Sequence, residues 1–160
     1  MNSSSGSSID QVADMLMRGS DMTLASIRVD GTPHASTVNF ASHGMSVYFA
    51  ISIDSNKSHD IQHCARVAYT VNLPYHSWTE IRGLSVDGDA RIVTDPEELD
   101  LAGTSLLKKY PQFASIISNL AQHPWPGMLF VRCDPVHVAL LDYTKGFGHA
   151  DYFDVGPGAQ

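Results

Sequence analysis

Cysteine, cationic side chains and long apolar runs are all scarce in this sequence. Its two cysteines, Cys64 and Cys133, give neither a disulfide framework nor a paired zinc motif, and a reduced pair is expected. No apolar run approaches the ~18 residues that span a bilayer, and the N-terminus lacks the basic start and apolar centre of a secretory leader. Lys and Arg number 10 against 17 Asp and Glu, a formal charge of −7. Non-specific binding to nucleic acid or an anionic membrane needs clustered cations, so neither is expected as a partner. A cytoplasmic location is the expectation that follows. If the chain binds an anion, a few placed groups must do it.

Catalytic signatures are sparse too. No Walker loop occurs, and Gly146-Phe147-Gly148-His149-Ala150-Asp151 lacks the third glycine of a dinucleotide fingerprint. Gly83-Leu84-Ser85-Val86-Asp87 lacks the closing glycine of a nucleophile elbow. His59 and His63 are four apart, but no Glu follows the first and no third ligand is implied, so no metal is expected.

The 160 residues, 43% of them hydrophobic, suffice for one domain with one sizeable core. Ser-rich residues 1–8 and Gly-containing residues 156–160 are expected to be flexible tails around a domain spanning 9–155. Apolar residues at three- and four-residue spacing predict a helix over Ile9–Arg18. Period-two patterns then predict strands at Thr23–Val29, His34–Ala41 and Met45–Ser52, joined by Asp30-Gly31 and Ser42-His43-Gly44 as an antiparallel meander. A short helix through Cys64 precedes strands at Arg66–Leu73 and Glu80–Thr94, the latter bent at Asp87-Gly88. Asp95-Pro96-Glu97-Glu98 starts a helix, and Pro111 is expected to start another with Phe113, Ile116, Ile117 and Leu120 inward. Strands Met128–Arg132 and Val136–Tyr143 flank Asp134-Pro135. The fold class expected is mainly β (α+β), a small antiparallel split β-barrel with flanking helices.

Lys57 is the only Lys or Arg between Val29 and Arg66. With Ser55 and Asn56 it lies where a strand meets a helix start, where an ammonium, a hydroxyl, an amide and free backbone N–H groups can converge on one phosphate. An ordinary solvated lysine beside a helix cap is the other reading of the same residues.

Around that loop, Asp30-Gly31-Thr32-Pro33-His34, Val47-Tyr48-Phe49, Ser55-Asn56-Lys57, Arg66-Val67 and Gly83-x-x-Val86-x-Gly88-x-Ala90 follow in order. Together they resemble the pyridoxamine 5′-phosphate oxidase-like, flavin mononucleotide (FMN)-binding split-barrel superfamily. The resemblance implies an FMN-binding oxidoreductase acting on a small-molecule substrate, built as a homodimer with cofactor sites at the interface. It implies that Ser36, Thr37, Val38 and Asn39 run along the isoalloxazine ring. By the same carry-over Ala50 and Ile51 support the ring and ribityl chain, and Ser55, Asn56 and Lys57 hold the phosphate.

The family's oxidases carry Arg where Asn56 stands, a basic residue at His34, Lys at Asn39 and Gln at Gly83. These differences point away from a pyridoxamine phosphate oxidase and toward a related flavin reductase or another FMN-binding member. No acid or base stands out, although His34 and His149 are eligible; Lys145–His149 is either a segment that folds over a site, with Phe147 stacking on a planar ligand, or a loose C-terminal loop. The alternative is a non-catalytic haem- or deazaflavin-binding module, with His63, His137 or His149 as axial ligand for haem. A cofactor-free dimer is the third reading.

Overall fold

The computed structural model describes residues 3–156, so Met1, Asn2 and residues 157–160, with part of each expected tail, lie outside the described residues. Helix α1 (Ser3–Arg18) begins earlier than the expected Ile9. Strands β1 (Met22–Ile27), β2 (Pro33–Val38), β3 (Ala41–His43) and β4 (Ser46–Ser52) follow, then α2 (Asn56–His63). After these come β5 (Arg66–Asn72), β6 (Arg82–Ile92), α3 (Pro96–Lys109), β7 (Met128–Asp142) and β8 (Ala150–Asp154). All eight strands belong to one sheet of antiparallel pairs, in the order β2-β1-β5-β6-β7-β4-β3, with β8 beside β7. Among the described residues, no helix is long and apolar enough to cross a membrane.

Other expectations are corrected as well. The strand expected over His34–Ala41 is two strands, with Asn39-Phe40 between them. β2 pairs only with β1 and β3 only with β4, so the expected meander is broken at its centre. The expected final strand pair is one strand, β7. It passes Asp134-Pro135 with a bulge, because Asp87 faces His137 while Gly88 faces Pro135 and Val136 is extra. A Cβ at Gly88 would lie 2.6 Å from the Asp134 carbonyl oxygen, so this close crossing needs glycine. The helix expected from Pro111 is a single 3-10 turn, Pro111–Ser115, and Ile116 is exposed. Finally β8, which alternates too briefly to be read as a strand, pairs with the second half of β7.

The two ends of the sheet path, β2 and β3, are consecutive in the chain, so the barrel closes through covalent backbone at Asn39-Phe40. Tyr110, at the end of α3, secures this joint. Its hydroxyl accepts from the Phe40 N–H at 3.2 Å and lies 2.8 Å from the Phe40 and 2.6 Å from the Ser20 carbonyl oxygen, either of which can accept its proton. Burial raises the Tyr110 phenol above its ordinary pKa, so it stays a donor at neutral pH.

Inside the barrel pack Leu24, Phe40, Val47, Phe49, Tyr69, Val86, Val131 and Leu140, and Val12, Met15 and Leu16 of α1 close one end. A second cluster lies outside, where Leu99, Ala102 and Leu106 of α3 cover Tyr48, Phe130 and Trp125. β4 is therefore buried on both faces. Under α3 the Glu98 carboxylate accepts from Arg91 at 2.8 Å, from Arg132 at 2.9 Å and from the Tyr48 hydroxyl at 2.9 Å. Burial alone would raise the Glu98 carboxyl, but these donors overcome it and hold its pKa at about 2.

Helix α2 is tied to the β1–β2 hairpin by a buried carboxylate. One Asp60 oxygen accepts from the Ser26 hydroxyl at 2.8 Å and lies 3.0 Å from His34 Nδ1. Burial works against this charge, yet the hydrogen bonds from His34 and Ser26, with the charge of His34 and Arg28, hold the carboxyl below its ordinary range.

Two outcomes follow. Tyr110→Phe removes the hydroxyl that the joint uses and is expected to cost about 1–3 kcal/mol, read as a lower urea midpoint. Because Asp60 is depressed in the folded state, its stabilisation is complete above the ordinary value of 3.8 and disappears as the pH falls through the folded value. Urea midpoints taken from about pH 7 to about pH 3 should therefore fall more steeply for the wild type than for Asp60→Asn.

Candidate functional site

The break at Asn39-Phe40 has a consequence for the backbone. β2 uses one edge to pair with β1 and has no strand on the other. On the side away from β7, β4 pairs with β3 only through Ser46, Val47 and Tyr48, so its second half also has a free edge there. The two edges leave a split in the barrel wall, and a cavity of about 420 Å³ lies against it, lined by the end of β2 and the end of β4. That volume falls within the range of small-molecule sites, about 300–1,000 Å³.

Most of the residues singled out in the sequence meet here. Thr37, Val38 and Asn39 line the cavity from the end of β2, Ala50 and Ile51 from the end of β4, and Ser55 and Lys57 from the start of α2. Two do not. Ser36 immediately precedes Thr37 and is not part of the lining, and Asn56 turns to a shallow depression with Arg28, Asp30 and His59. Within α2, Asn56 and Lys57 point about 100° apart, so Lys57 faces the cavity and Asn56 the depression beside it.

Ser55 is the N-cap of α2. Its side-chain oxygen accepts from the Ser58 N–H at 3.2 Å, while its own O–H remains a donor. The Asn56 and Lys57 N–H groups occupy the first helical turn, where no preceding turn supplies acceptors. Among the described residues, Lys57 is the only charged one in the cavity lining. One end of the cavity thus offers an ammonium, a hydroxyl and the positive end of a short helix, a donor set suited to one phosphate.

The opposite wall was missed in the sequence. Phe113, Ile116, Ile117 and Ser118 from the segment after α3, with Trp125, Pro126 and Met128 before and at the start of β7, form it. The apolar spacing of Phe113, Ile116 and Ile117 imitates a helix face, but the regular segment is only the short 3-10 helix Pro111–Ser115. Trp125 is buried between Phe113 and Phe130, with ring centroids 5.5 and 5.0 Å away, and its indole N–H has no hydrogen-bond partner.

The other candidates lie elsewhere. Gly83 cannot be exchanged for a side chain, since a Cβ there would meet the Val71 carbonyl oxygen at 2.6 Å. His34 serves Asp60, and His63 ends α2. His137 pairs with Asp154 at 2.5 Å, and His149 lies 3.3 Å from Asp151. Phe147 packs edge-on against Trp78 and Tyr143 and is not part of the cavity lining. Among the described residues, no three His, Cys, Asp or Glu are grouped to hold a metal ion.

Comparison with known proteins gives these features a context. No curated protein matches the chain in sequence. A conserved hypothetical protein from Mycobacterium tuberculosis has a TM-score of 0.72 and 23% identity, over 94% of this chain and 93% of its own. A haem-binding protein from Mycobacterium smegmatis gives 0.74 at 16% identity, over 91% of this chain and 57% of its own. The haem storage protein of Vibrio cholerae gives 0.64 at 15%, over 79% and 88%. These likenesses establish the fold alone. The model of the family described as pyridoxamine 5′-phosphate oxidase matches residues 9–142, which takes in every strand but β8 and both faces of the split. The chain therefore belongs to the pyridoxamine 5′-phosphate oxidase family.

Proposed function

We propose that this protein binds FMN in the split and works as a flavin-dependent oxidoreductase on a small molecule, as a homodimer whose cofactor sites lie at the interface. The observation that carries the reading is the position of Lys57. It stands with Ser55 and the first turn of α2 at one end of a cavity whose long side is formed by two free strand edges. In this reading Lys57 and Ser55 hold the phosphate. Val38 and Ile51 cover the ring, and the free backbone groups beside Thr37–Asn39 satisfy its polar edge.

FMN, when bound, supplies a hydride acceptor and a route for electrons to a second acceptor. The chain supplies orientation and exclusion of water. Val38, Ile51 and Trp125 are all buried, so ligand atoms near them lie in a low dielectric. There the Lys57 charge acts over a longer distance than it would in water. No side chain with an acid or base role lines the cavity besides Lys57.

Haem is the competing ligand, because two of the similar structures are haem proteins. The arrangement favours FMN. None of His63, His137 and His149 lines the cavity, which lacks any histidine or cysteine to bind iron axially. A deazaflavin shares the phosphate requirement and is separated from FMN by spectrum.

Purified protein titrated with FMN should quench flavin fluorescence at one site per chain. Lys57→Ala removes a charge-assisted contact of about 1.5–3 kcal/mol and should raise the Kd roughly tenfold to a hundredfold. An unchanged Kd would refute the phosphate assignment. A Soret band on adding haem, with no FMN binding, would favour the haem reading instead.

A further inference from the structure

Ser55 and Lys57 can meet a phosphate at the split only if α2 stands in one place relative to β2. Apolar packing and strand pairing do little to fix that place. α2 is too short to be stable alone, and its single apolar side chain, Ile61, is the one it sends into the barrel core. β2 has no strand on its second edge, so no ladder runs from it toward the end of β4 and the start of α2.

A buried polar tie does the work instead. Ser26 of β1 and His34 of β2 stand opposite one another in the hairpin register. Both side chains reach the same Asp60 oxygen, at 2.8 and 3.0 Å. Asp60 and Ser26 are buried, and the His34 side chain is 18% exposed. An ionised carboxylate only accepts, so the Ser26 hydroxyl and His34 Nδ1 both donate to it. Hydrogen bonds to a charged group are shorter and stronger than neutral ones, and burial keeps water from replacing them.

Asp60 follows Lys57 by three residues, less than one turn of α2, and His34 precedes Thr37 by three along β2. The carboxylate therefore joins the helix that carries the phosphate donors to the strand whose end forms the cavity wall. A shift of α2 at Asp60 carries Lys57 and Ser55 with it. The wall itself does not depend on the tie, because β2 stays paired with β1 from Pro33 to Val38.

We propose that Asp60, held by Ser26 and His34, is the positioning residue of this site and sets the donors of α2 at the distance from the β2 edge that a cofactor phosphate needs. The role rests on the cofactor reading above and adds to it residues that touch no ligand, since none of the three lines the cavity. Breaking the tie then costs binding of the phosphate and spares binding of the ring.

The test titrates the full chain with FMN and with riboflavin, which lacks the phosphate, by flavin fluorescence quenching. His34→Leu removes one donor to Asp60, Ser26→Ala removes the other, and His34→Asn keeps an N–H close to the place of Nδ1. Urea unfolding curves establish that each variant is folded under the titration conditions. His34→Leu and Ser26→Ala are each expected to raise the FMN Kd about fivefold or more, with the riboflavin Kd within about twofold of the wild type. His34→Asn should bring the FMN Kd back to within about twofold. An equal rise for FMN and riboflavin would mark a general loss of structure and overturn the proposal. So would an FMN Kd unmoved in both donor deletions, or a His34→Asn variant as weak as His34→Leu. If the wild type binds no FMN, or binds it no better than riboflavin, the phosphate reading fails and this inference with it. A wild-type preference for FMN that Lys57→Ala abolishes, while His34→Leu and Ser26→Ala keep it, removes this inference alone.

Discussion

The structure depends on how the sheet closes. A barrel closed by a complete ladder has no edge, and a sheet left open has two. This chain takes neither course. It passes from one end of the sheet path to the other through Asn39-Phe40, and the Tyr110 hydroxyl takes up the polar groups that the interrupted ladder leaves there. A buried Phe40 N–H without a partner would cost free energy comparable to a lost hydrogen bond, so this contact lets the break exist inside a folded core. The break then frees one edge of β2 and half an edge of β4, which are the edges that line the cavity. Fold closure and site thus share a cause.

That cause explains what the sequence disclosed and what it hid. Alternation in Val47, Phe49 and Ile51 marks β4, Asp30-Gly31 marks the β1–β2 hairpin with Gly31 at φ 85°, and Asp95-Pro96 marks the start of α3. Each is a local signal with a local mechanism. The division of β2 from β3 is not local, because Thr37, Val38, Asn39, Phe40 and Ala41 alternate as one strand would. What separates them is that one half pairs with β1 and the other with β4, a fact of partners and not of period. The continuity of β7 was hidden by Pro135, which reads as a break. The bulge at Val136 absorbs it, and the Val136 carbonyl is used by the Val155 N–H at 2.9 Å instead.

The site divides along the same line. Residues close together in the chain, such as Ser55 and Lys57 or Thr37 and Val38, were legible because the chemistry sits in short strings. Phe113, Ile116, Ile117 and Trp125 reach the cavity only because α3 crosses the outer face of β4 and sets down its following segment beside the split. Three-residue apolar spacing fits a helix face as well as a cavity wall, and only the packing of α3 decides between them.

Charge distribution links the two halves. A net charge of −7 surrounds most cations with carboxylates: Arg91 and Arg132 meet Glu98, Arg66 meets Asp89, and Arg82 meets Asp142. Those pairs sit on the sheet or under α3, away from the split. No carboxylate lines the cavity, so Lys57 enters it with its charge uncompensated by any neighbour there. An acidic protein that leaves one cation without an acid in the lining of a neutral recess presents a donor set suited to one anion, which is the role proposed for Lys57. Its net negative charge disfavours polyanions over the rest of the surface, which fits the proposed single phosphate on an uncharged body.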